Sequence, residues 1–425
     1  GTVALTLEAG MDEVRAQMAR LAEVGVDMAA VTARLQEEGV AAFARSFDSL
    51  LAALDRVRNE WRLPPVRLGA HQEPVEQALD EVSAGRVLAH IWDHDHTVWE
   101  PDPAEITNRL GWLHLPDAMA DHVTRLEEFA AAVRAGGISD LLLLGMGGAS
   151  RAAEVLANVF GRPGMPRLDV LDSTLPESVL ARAGRLEPRR TLVIVATKSG
   201  ATVETLSLFR FFYDWAARAL GEAEAGSHFV AITDPGTPLQ ALAASHGFRA
   251  TFAGDPNVGG RYSALSAFGL LPAALVGADV RLLLERARTI AAESRVLADS
   301  PGGVAGAARL GVLMAELALA GRDKLTLLAS PGLANFGEWL EQLVAESSGK
   351  EGKGILPVVG EPLGRPADYG RDRLFVYLRL AGDDTYGEPL RALEQAGQPV
   401  VRLHLRDAYD LGEQFFLWEL ATAVA

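Results

Sequence analysis

Two glycines followed by an arginine, in Asn257-Val258-Gly259-Gly260-Arg261-Tyr262-Ser263, form a pattern that lets a backbone approach another group closely while delivering one permanent positive charge. A guanidinium keeps its charge as a neighbouring oxygen turns anionic, so Arg261 suits the stabilisation of a transient oxyanion. Alone, such an arginine is more often half of a surface ion pair. Two other segments argue for chemistry. Thr197-Lys198-Ser199-Gly200-Ala201-Thr202-Val203-Glu204-Thr205 sets hydroxyls and an ammonium between an apolar run and a helix start. Glu346-Ser347-Ser348-Gly349-Lys350 closes an amphipathic run that begins at Phe336, and Gln342 lies one turn before Glu346 on the same face.

The hydroxyl-rich segment reads as a phosphate cup. Convergent Ser and Thr hydroxyls, with the free N–H groups of a helix start, hold a phosphate without a large positive field. Thr197, Lys198, Ser199 and Thr202 are the candidates, and the competing reading is an N-cap that satisfies only the helix end. Glu346 reads as a general base, a task suited to a partly buried carboxylate. Upstream, Leu142-Leu143-Leu144-Gly145-Met146-Gly147-Gly148-Ala149-Ser150 is a strand entering a glycine turn before a helix, which directs N–H groups of Gly147, Gly148 and Ser150 toward an anion. A dinucleotide fingerprint is disfavoured, because Ser150 stands where the third glycine belongs, although Asp172 follows the next strand. His90, Asp93, His94, Asp95 and His96 cluster like metal ligands, but their spacing fits no standard zinc site and Trp92, Val98 and Trp99 suggest packing. No metal or organic cofactor is expected.

Composition narrows the partners. The chain has 425 residues, 49% of them hydrophobic, enough for two or more domains. Its 40 basic and 56 acidic residues give a net charge of -16, which disfavours nucleic acid and requires a phosphorylated ligand to be held by local donors. The absence of cysteine excludes disulfides and thiolate sites and fits a reducing compartment. Apolar runs such as Leu270 to Val276 are too short to span a bilayer. A cytoplasmic protein is the resulting expectation.

These residues must be positioned by elements that the periodicity outlines. Residues 10 to 58 repeat apolar positions at helical spacing, with breaks at Gly25 and Gly39, and Leu63-Pro64-Pro65 reads as a linker. Residues 73 to 135 continue mainly as helices, with a break at Leu113 to Pro116. Short buried strands then alternate with helices: 141–144, 168–171, 192–196 and 229–233. After two helices near 276–298 and 303–320 comes a second series at 324–329, 355–359, 373–379 and 399–405. The expected fold is α/β: two tandem αβα domains with parallel sheets behind an N-terminal helical segment. The expected boundaries are residues 1–60, 61–255 and 256–425, and the ligand belongs at the carboxyl ends of the strands.

From about residue 60 onward the chain resembles the phosphoglucose isomerase family, with its two sugar-isomerase domains. The likeness rests on Gly259-Gly260-Arg261-Tyr262-Ser263 with Ser266 and Gly269, on Lys198-Ser199 with Thr202 and Glu204-Thr205, and on Glu346-Ser347 with Gly349-Lys350. It implies interconversion of glucose 6-phosphate and fructose 6-phosphate: Thr197, Lys198, Ser199 and Thr202 on the phosphate, Arg261 on the enediolate, Gln342 on the substrate, and Glu346 as base. Gly147, Gly148, Ser150 and Gly260 complete the implied substrate site. A related isomerase of mannose or glucosamine 6-phosphate, or a non-catalytic sugar-phosphate sensor, stays open; a sensor does not need Arg261 and Glu346 together. Residues 1 to about 58, including Glu37-Glu38-Gly39-Val40 and Phe47-Asp48, look like the C-terminal tail of transaldolase. The combination resembles the bifunctional transaldolase/phosphoglucose isomerase, which implies a transaldolase barrel upstream and a homodimer. Ala149 and Ala201 depart from the family pattern. The family's ring-opening histidine has no clear counterpart, with His404, His94 and His96 as weak substitutes, and its ring-opening lysine is expected beyond Ala425.

Overall fold

The computed structural model describes residues 10–40, 66–300 and 303–425. The chain divides into two compact units, residues 1–61 and residues 62–425. In the first, the helix Met11–Glu23 and a helical stretch over 28–40 are separated by a turn with Gly25 at φ +83°. Glu37 to Val40 lie in that second stretch, whereas Phe47-Asp48 and Leu63-Pro64-Pro65 lie outside the described residues.

The second unit holds two parallel sheets. Strands β1 (Asp140–Gly145), β2 (Arg167–Leu171), β3 (Thr191–Ala196), β4 (Phe229–Thr233) and β5 (Ala250–Ala253) assemble in the order β2-β1-β3-β4-β5. Strands β6 (Lys324–Ala329), β7 (Leu356–Val358), β8 (Arg373–Leu380) and β9 (Val400–Leu405) take the order β7-β6-β8-β9. Every pairing is parallel. The central strands read as unbroken Leu, Val and Ile because helices cover both faces, and β3 and β4 are buried along their whole lengths. Alternate side chains go to opposite cores. Leu141 and Leu143 join the large helical core, while Leu142 and Leu144 pack with Leu208, Phe209 and Phe212. The expected α/β architecture is the observed one.

Four helices position the site. Helix α1 (Arg151–Phe160) follows the glycine turn after β1, α2 (Val203–Leu220) follows the hydroxyl turn after β3, and α3 (Phe336–Ser348) carries Gln342 and Glu346. Helix α4 (Leu411–Val424) is buried from Leu411 through Thr422. A helix apolar on all sides belongs inside a core. Its Phe415 packs on Trp339 of α3 at a centroid distance of 4.7 Å, and Phe416 meets Trp112 at 5.8 Å.

Within α4, Glu419 is fully buried and neither carboxylate oxygen has a hydrogen-bond partner. Burial therefore pushes its carboxyl well above the ordinary value of 4.5. A raised native value means that ionisation of Glu419 adds no cost below about pH 4.5 and lowers stability progressively as pH rises toward that native value, because the unfolded chain ionises it freely. Glu419→Gln is expected to raise the urea unfolding midpoint at pH 8, with the gain shrinking toward pH 4. Identical pH dependence in parent and variant would contradict this assignment.

Candidate active site

In the order β2-β1-β3-β4-β5, the connections leaving β1 and β3 depart in opposite directions, which opens a crevice at the carboxyl ends of these neighbouring strands. Both anion-binding candidates lie there. The Gly147–Ala149 turn follows β1, and Thr197 to Thr202 follow β3.

The floor of the crevice is a contact between two backbones. A Cβ placed on Gly148 would lie 2.3 Å from the carbonyl carbon of Gly260 and 2.7 Å from the amide nitrogen of Arg261, so only glycine fits. Ser263 donates from Oγ to the carbonyl oxygens of both Gly260 (2.6 Å) and Gly148 (3.3 Å), which ties the two turns together. Gly147 adopts φ +55°, and a Cβ there would meet Nε2 of Gln342 at 2.9 Å. Three sequence-distant segments thus meet at one point. Ser150 is buried and donates from Oγ to the carbonyl oxygen of Gly147 at 3.1 Å, so its hydroxyl braces the turn from within.

On this floor Arg261 and Glu346 face each other. Arg261 donates from Nε to Ser347 Oγ at 2.7 Å, and its Nη1 lies 3.5 Å from Glu346 Oε2. Gln342, one turn earlier on α3, donates from Nε2 to Glu346 Oε1 at 3.0 Å. Lys350 folds back and donates from Nζ to the carbonyl oxygens of Glu346 (3.1 Å) and Ser347 (2.6 Å), closing the end of α3. Burial, and then the neighbouring Arg261 charge, lower the Lys350 ammonium below its ordinary value. The partly buried base expected at Glu346 is instead exposed, with a side chain 52% accessible, because the last turn of α3 brings it to the mouth of the crevice.

Around the hydroxyl turn, Thr197 and Thr202 share a hydrogen bond of 2.7 Å between their hydroxyls, and Ser199 Oγ accepts from the Ala201 amide at 3.2 Å. Thr202 precedes the first helical residue without capping α2 through its side chain. The N–H groups of the first turn have no intrahelical acceptors and remain donors at the positive end of the helix. Gly200 turns the chain at φ +65°, where a Cβ would meet Thr237 at 2.6 Å. Lys198 points elsewhere. Its Nζ donates to Asp234 Oδ1 at 2.8 Å and to the Asp255 carbonyl oxygen at 2.7 Å, and it sits 5.7 Å from the centre of the Phe268 ring. This ammonium therefore fastens the turn to the ends of β4 and β5. Thr205, in the first turn of α2, is not among the site residues expected from sequence, yet its buried hydroxyl has no hydrogen-bond partner. The Thr202/Thr205 spacing, which puts both on one helix face, is the signal that identifies it.

The other candidates have local partners. His90 bonds Asp95 at 3.0 Å, His94 meets His114 at 2.9 Å between Nε2 atoms, and His96 meets the Pro101 carbonyl oxygen at 3.1 Å. Among the described residues no group of three or more His, Asp or Glu is placed to hold a metal ion. Asp172 pairs with Arg151 at 3.4 Å. His404 lies on β9 opposite Arg379 of β8, and burial followed by the Arg379 and Arg402 charges lowers its imidazole below the ordinary range.

The hydroxyl turn lies on one side of this crevice and the cation–carboxylate pair on the other. The chain belongs to the phosphoglucose isomerase family, whose model, phosphoglucose isomerase, matches residues 114–353. It is 31% identical over 362 residues to the glucose-6-phosphate isomerase of Rubrobacter xylanophilus, covering 74% of this chain and 83% of that one. It is 41% identical over 180 residues to a glucose-6-phosphate isomerase of Thermus thermophilus, covering 42% of each chain. Among solved structures, a hypothetical protein from Thermus thermophilus superposes with a TM-score of 0.68 at 26% identity, covering 85% of this chain and 93% of the other. A glucose-6-phosphate isomerase from Chlamydia trachomatis gives 0.57 at 19% identity, covering 80% and 72%, and shares the fold.

Two outcomes are expected from this geometry. Gly148→Ala forces the two turns apart, costs about 1–3 kcal/mol as an overpacking change, and misplaces Arg261. Calorimetric unfolding combined with turnover is the check, and a variant with parental stability and activity would contradict the contact. Lys198→Ala strands the mostly buried Asp234 carboxylate and lowers stability by roughly 3–5 kcal/mol. Urea titration reads that loss, and a neutral result would return Lys198 to a role directed only at ligand.

Proposed function

We propose that this site interconverts glucose 6-phosphate and fructose 6-phosphate by moving a proton between C2 and C1 through a cis-enediolate. The observation that supports it most is the Arg261–Glu346 pair, held at 3.5 Å by two elements that each touch the same glycine turn. From aldose to ketose, Glu346 removes the C2 proton of the open-chain sugar, and the C–H electron pair becomes the C1–C2 double bond while the carbonyl oxygen at C1 becomes anionic. Arg261 stabilises that charge. The proton of the C2 hydroxyl passes to the C1 oxygen, which moves the negative charge to the C2 oxygen, and Glu346 then returns its proton to C1 as the C2 oxygen forms the ketone. Gln342 aligns the carboxylate and contacts the substrate, while Gly147, Gly148, Ser150 and Gly260 shape the floor.

The phosphate belongs in the cup of Thr197, Ser199 and Thr202, with Lys198 setting the shape of that cup from behind. General-base catalysis supplies typically about 10² to 10⁴-fold, so the remainder comes from orientation through the phosphate and from the fixed cation. A sensor would need the cup alone. The pairing of base and cation across the crevice favours an enzyme.

The resemblance of residues 1 to 58 to a transaldolase tail, and their separation from residues 62–425 as a compact unit, support placement behind a transaldolase barrel in a bifunctional polypeptide. Family resemblance supports a homodimer with closed twofold symmetry. Cysteine-free composition supports a cytoplasmic location; no described helix is long and apolar enough to cross a membrane.

Arg261→Lys is expected to lower kcat by about 100-fold with a smaller change in KM, because a compact ammonium cannot keep both the Ser347 bond and the contact with developing charge. Steady-state assay in both directions is the check, and near-parental kcat would remove Arg261 from the mechanism. A Thr202→Ala, Thr205→Val double variant should lose calorimetric affinity for sugar phosphates and not for neutral sugars. Equal loss for both would mean that these hydroxyls maintain the fold.

A further inference from the structure

Lys198 belongs to the hydroxyl turn by its backbone and to a different loop by its side chain. Its carbonyl oxygen accepts from the Asp234 amide at 3.2 Å and from Thr233 Oγ1 at 3.3 Å, which holds the turn against the end of β4. Its ammonium reaches past Gly254. A Cβ on Gly254 would lie 2.3 Å from Asp234 Oδ1, the oxygen that accepts from Lys198 Nζ at 2.8 Å, so the ion pair is wedged against the backbone that leaves β5. The second acceptor of the ammonium, the Asp255 carbonyl oxygen at 2.7 Å, is the next residue along that backbone.

Asp255 begins the loop that leads to Arg261. Its carbonyl oxygen also accepts from the Val258 amide at 3.1 Å, closing a turn, and its Oδ1 accepts from the Asn257 amide at 2.8 Å. Val258 is buried and pairs with Leu110 across an isolated bridge, while the Gly111 amide donates to the Asn257 carbonyl oxygen at 2.9 Å. Residues 110 and 111 thus grip the middle of the loop, and the Lys198 ammonium grips its first residue. Just beyond, Gly260 meets Gly148 and Arg261 leaves toward Glu346. The ammonium is a stiff joint. Two of its three protons are committed to Asp234 and Asp255, and a side chain only 18% accessible has lost most of the water that would compete for them.

We propose that Lys198 is a positioning residue that couples the phosphate cup to the Arg261 turn, so that ordering residues 197–202 around a phosphate also orders residues 255–261. Lys198 touches no reacting atom and no phosphate oxygen. Binding energy from the phosphate is thereby expressed in the placement of the Arg261 guanidinium, which is how a remote part of a substrate raises kcat. Such coupling needs a contiguous network between the two turns, and the bonds from Lys198 to Asp234 and Asp255 provide one.

The test uses the full chain, with inorganic phosphate as the probe. The rate readout rests on the isomerase reading given above; the exchange readout does not. Because Lys198→Ala strands Asp234, the informative variant is Lys198→Met combined with Asp234→Asn, which removes the ammonium and its counter-charge together. It should lower kcat by about 10- to 100-fold and leave KM within about threefold, whereas Asp234→Asn alone, which keeps the bond to the Asp255 carbonyl oxygen, should stay within about threefold of the parent in both. The second readout is amide hydrogen exchange, by mass spectrometry, of peptides covering residues 255–263. Phosphate should slow that exchange at least about fivefold in the parent and in Asp234→Asn and leave it unchanged in the double variant, while calorimetry still shows phosphate bound to all three. Equal slowing in the parent and the double variant would overturn the proposal. Loss of phosphate affinity in the double variant would overturn it too, by making Lys198 a direct ligand. Should the double variant not fold, Lys198→Met with Asp234→Leu, an apolar pair, carries the same comparison. A parent in which phosphate leaves exchange at residues 255–263 unmoved overturns the proposal without any variant. A parent chain without isomerase activity would defeat the functional reading alone, and the exchange of residues 255–263 would still decide the role of Lys198.

Discussion

The structure of the site depends on the contact between Gly148 and the Gly260–Arg261 peptide. Neither turn holds chemistry by itself. The first is a strand-to-helix corner, and the second is a loop that needs a surface to rest on. Because a side chain cannot be interposed between them, the two backbones lock at van der Waals distance, with the Ser263 hydroxyl bridging both carbonyl oxygens. Arg261 leaves that junction in one direction and Gln342 of α3 closes over it from the other, so the distance between the Arg261 guanidinium and the Glu346 carboxylate is set by backbone packing. The flexible part of each side chain is then restrained by Ser347 for the arginine and by Gln342 for the glutamate.

Two sheets of similar topology carry very different carboxyl ends, and electrostatics explains the contrast. At the β1/β3 crevice the polar groups are hydroxyls and helix-start N–H donors, and the nearby acidic side chain, Asp234, pairs with Lys198. At the β6/β8 crevice, Asp383 accepts from Ser330, Thr385 and Tyr377. Burial alone would raise that carboxyl, but these hydrogen bonds hold it well below the usual carboxylate range. A fixed negative charge repels a phosphate. The second sheet supplies α3, which carries Gln342 and Glu346, and the core helix α4, while the proposed phosphate cup lies at the first.

Much of this was legible in the sequence. Eight strands fall within two residues of their expected limits, because unbroken Leu-Val-Ile runs between turn residues have few other interpretations. Strand β5 was missed: Ala250-Thr251-Phe252-Ala253 is short, half alanine and at a sheet edge, and its pairing with β4 is a tertiary fact. The glycine and arginine motifs were legible because glycine at a close approach leaves a chemical signature. The direction of Lys198 was not, since Asp234 and Asp255 are distant in sequence and nothing local says where a long side chain ends. The exposure of Glu346 was equally hidden, because it depends on where the last turn of α3 stops relative to the crevice. Helix α4 gives no amphipathic period to read, being buried on every side, so the significance of Glu419 emerges only from the packing.

In the proposed reaction Glu346 carries a proton between C2 and C1 beside a fixed cation. Hydrogen exchange with solvent during turnover in deuterium oxide, followed by NMR at C1 and C2 of the sugar phosphates, measures it most directly. The parent chain should incorporate deuterium as it isomerises, whereas Glu346→Gln should bind sugar phosphate with similar affinity and incorporate none. Exchange at the parental rate in Glu346→Gln would remove Glu346 as the base.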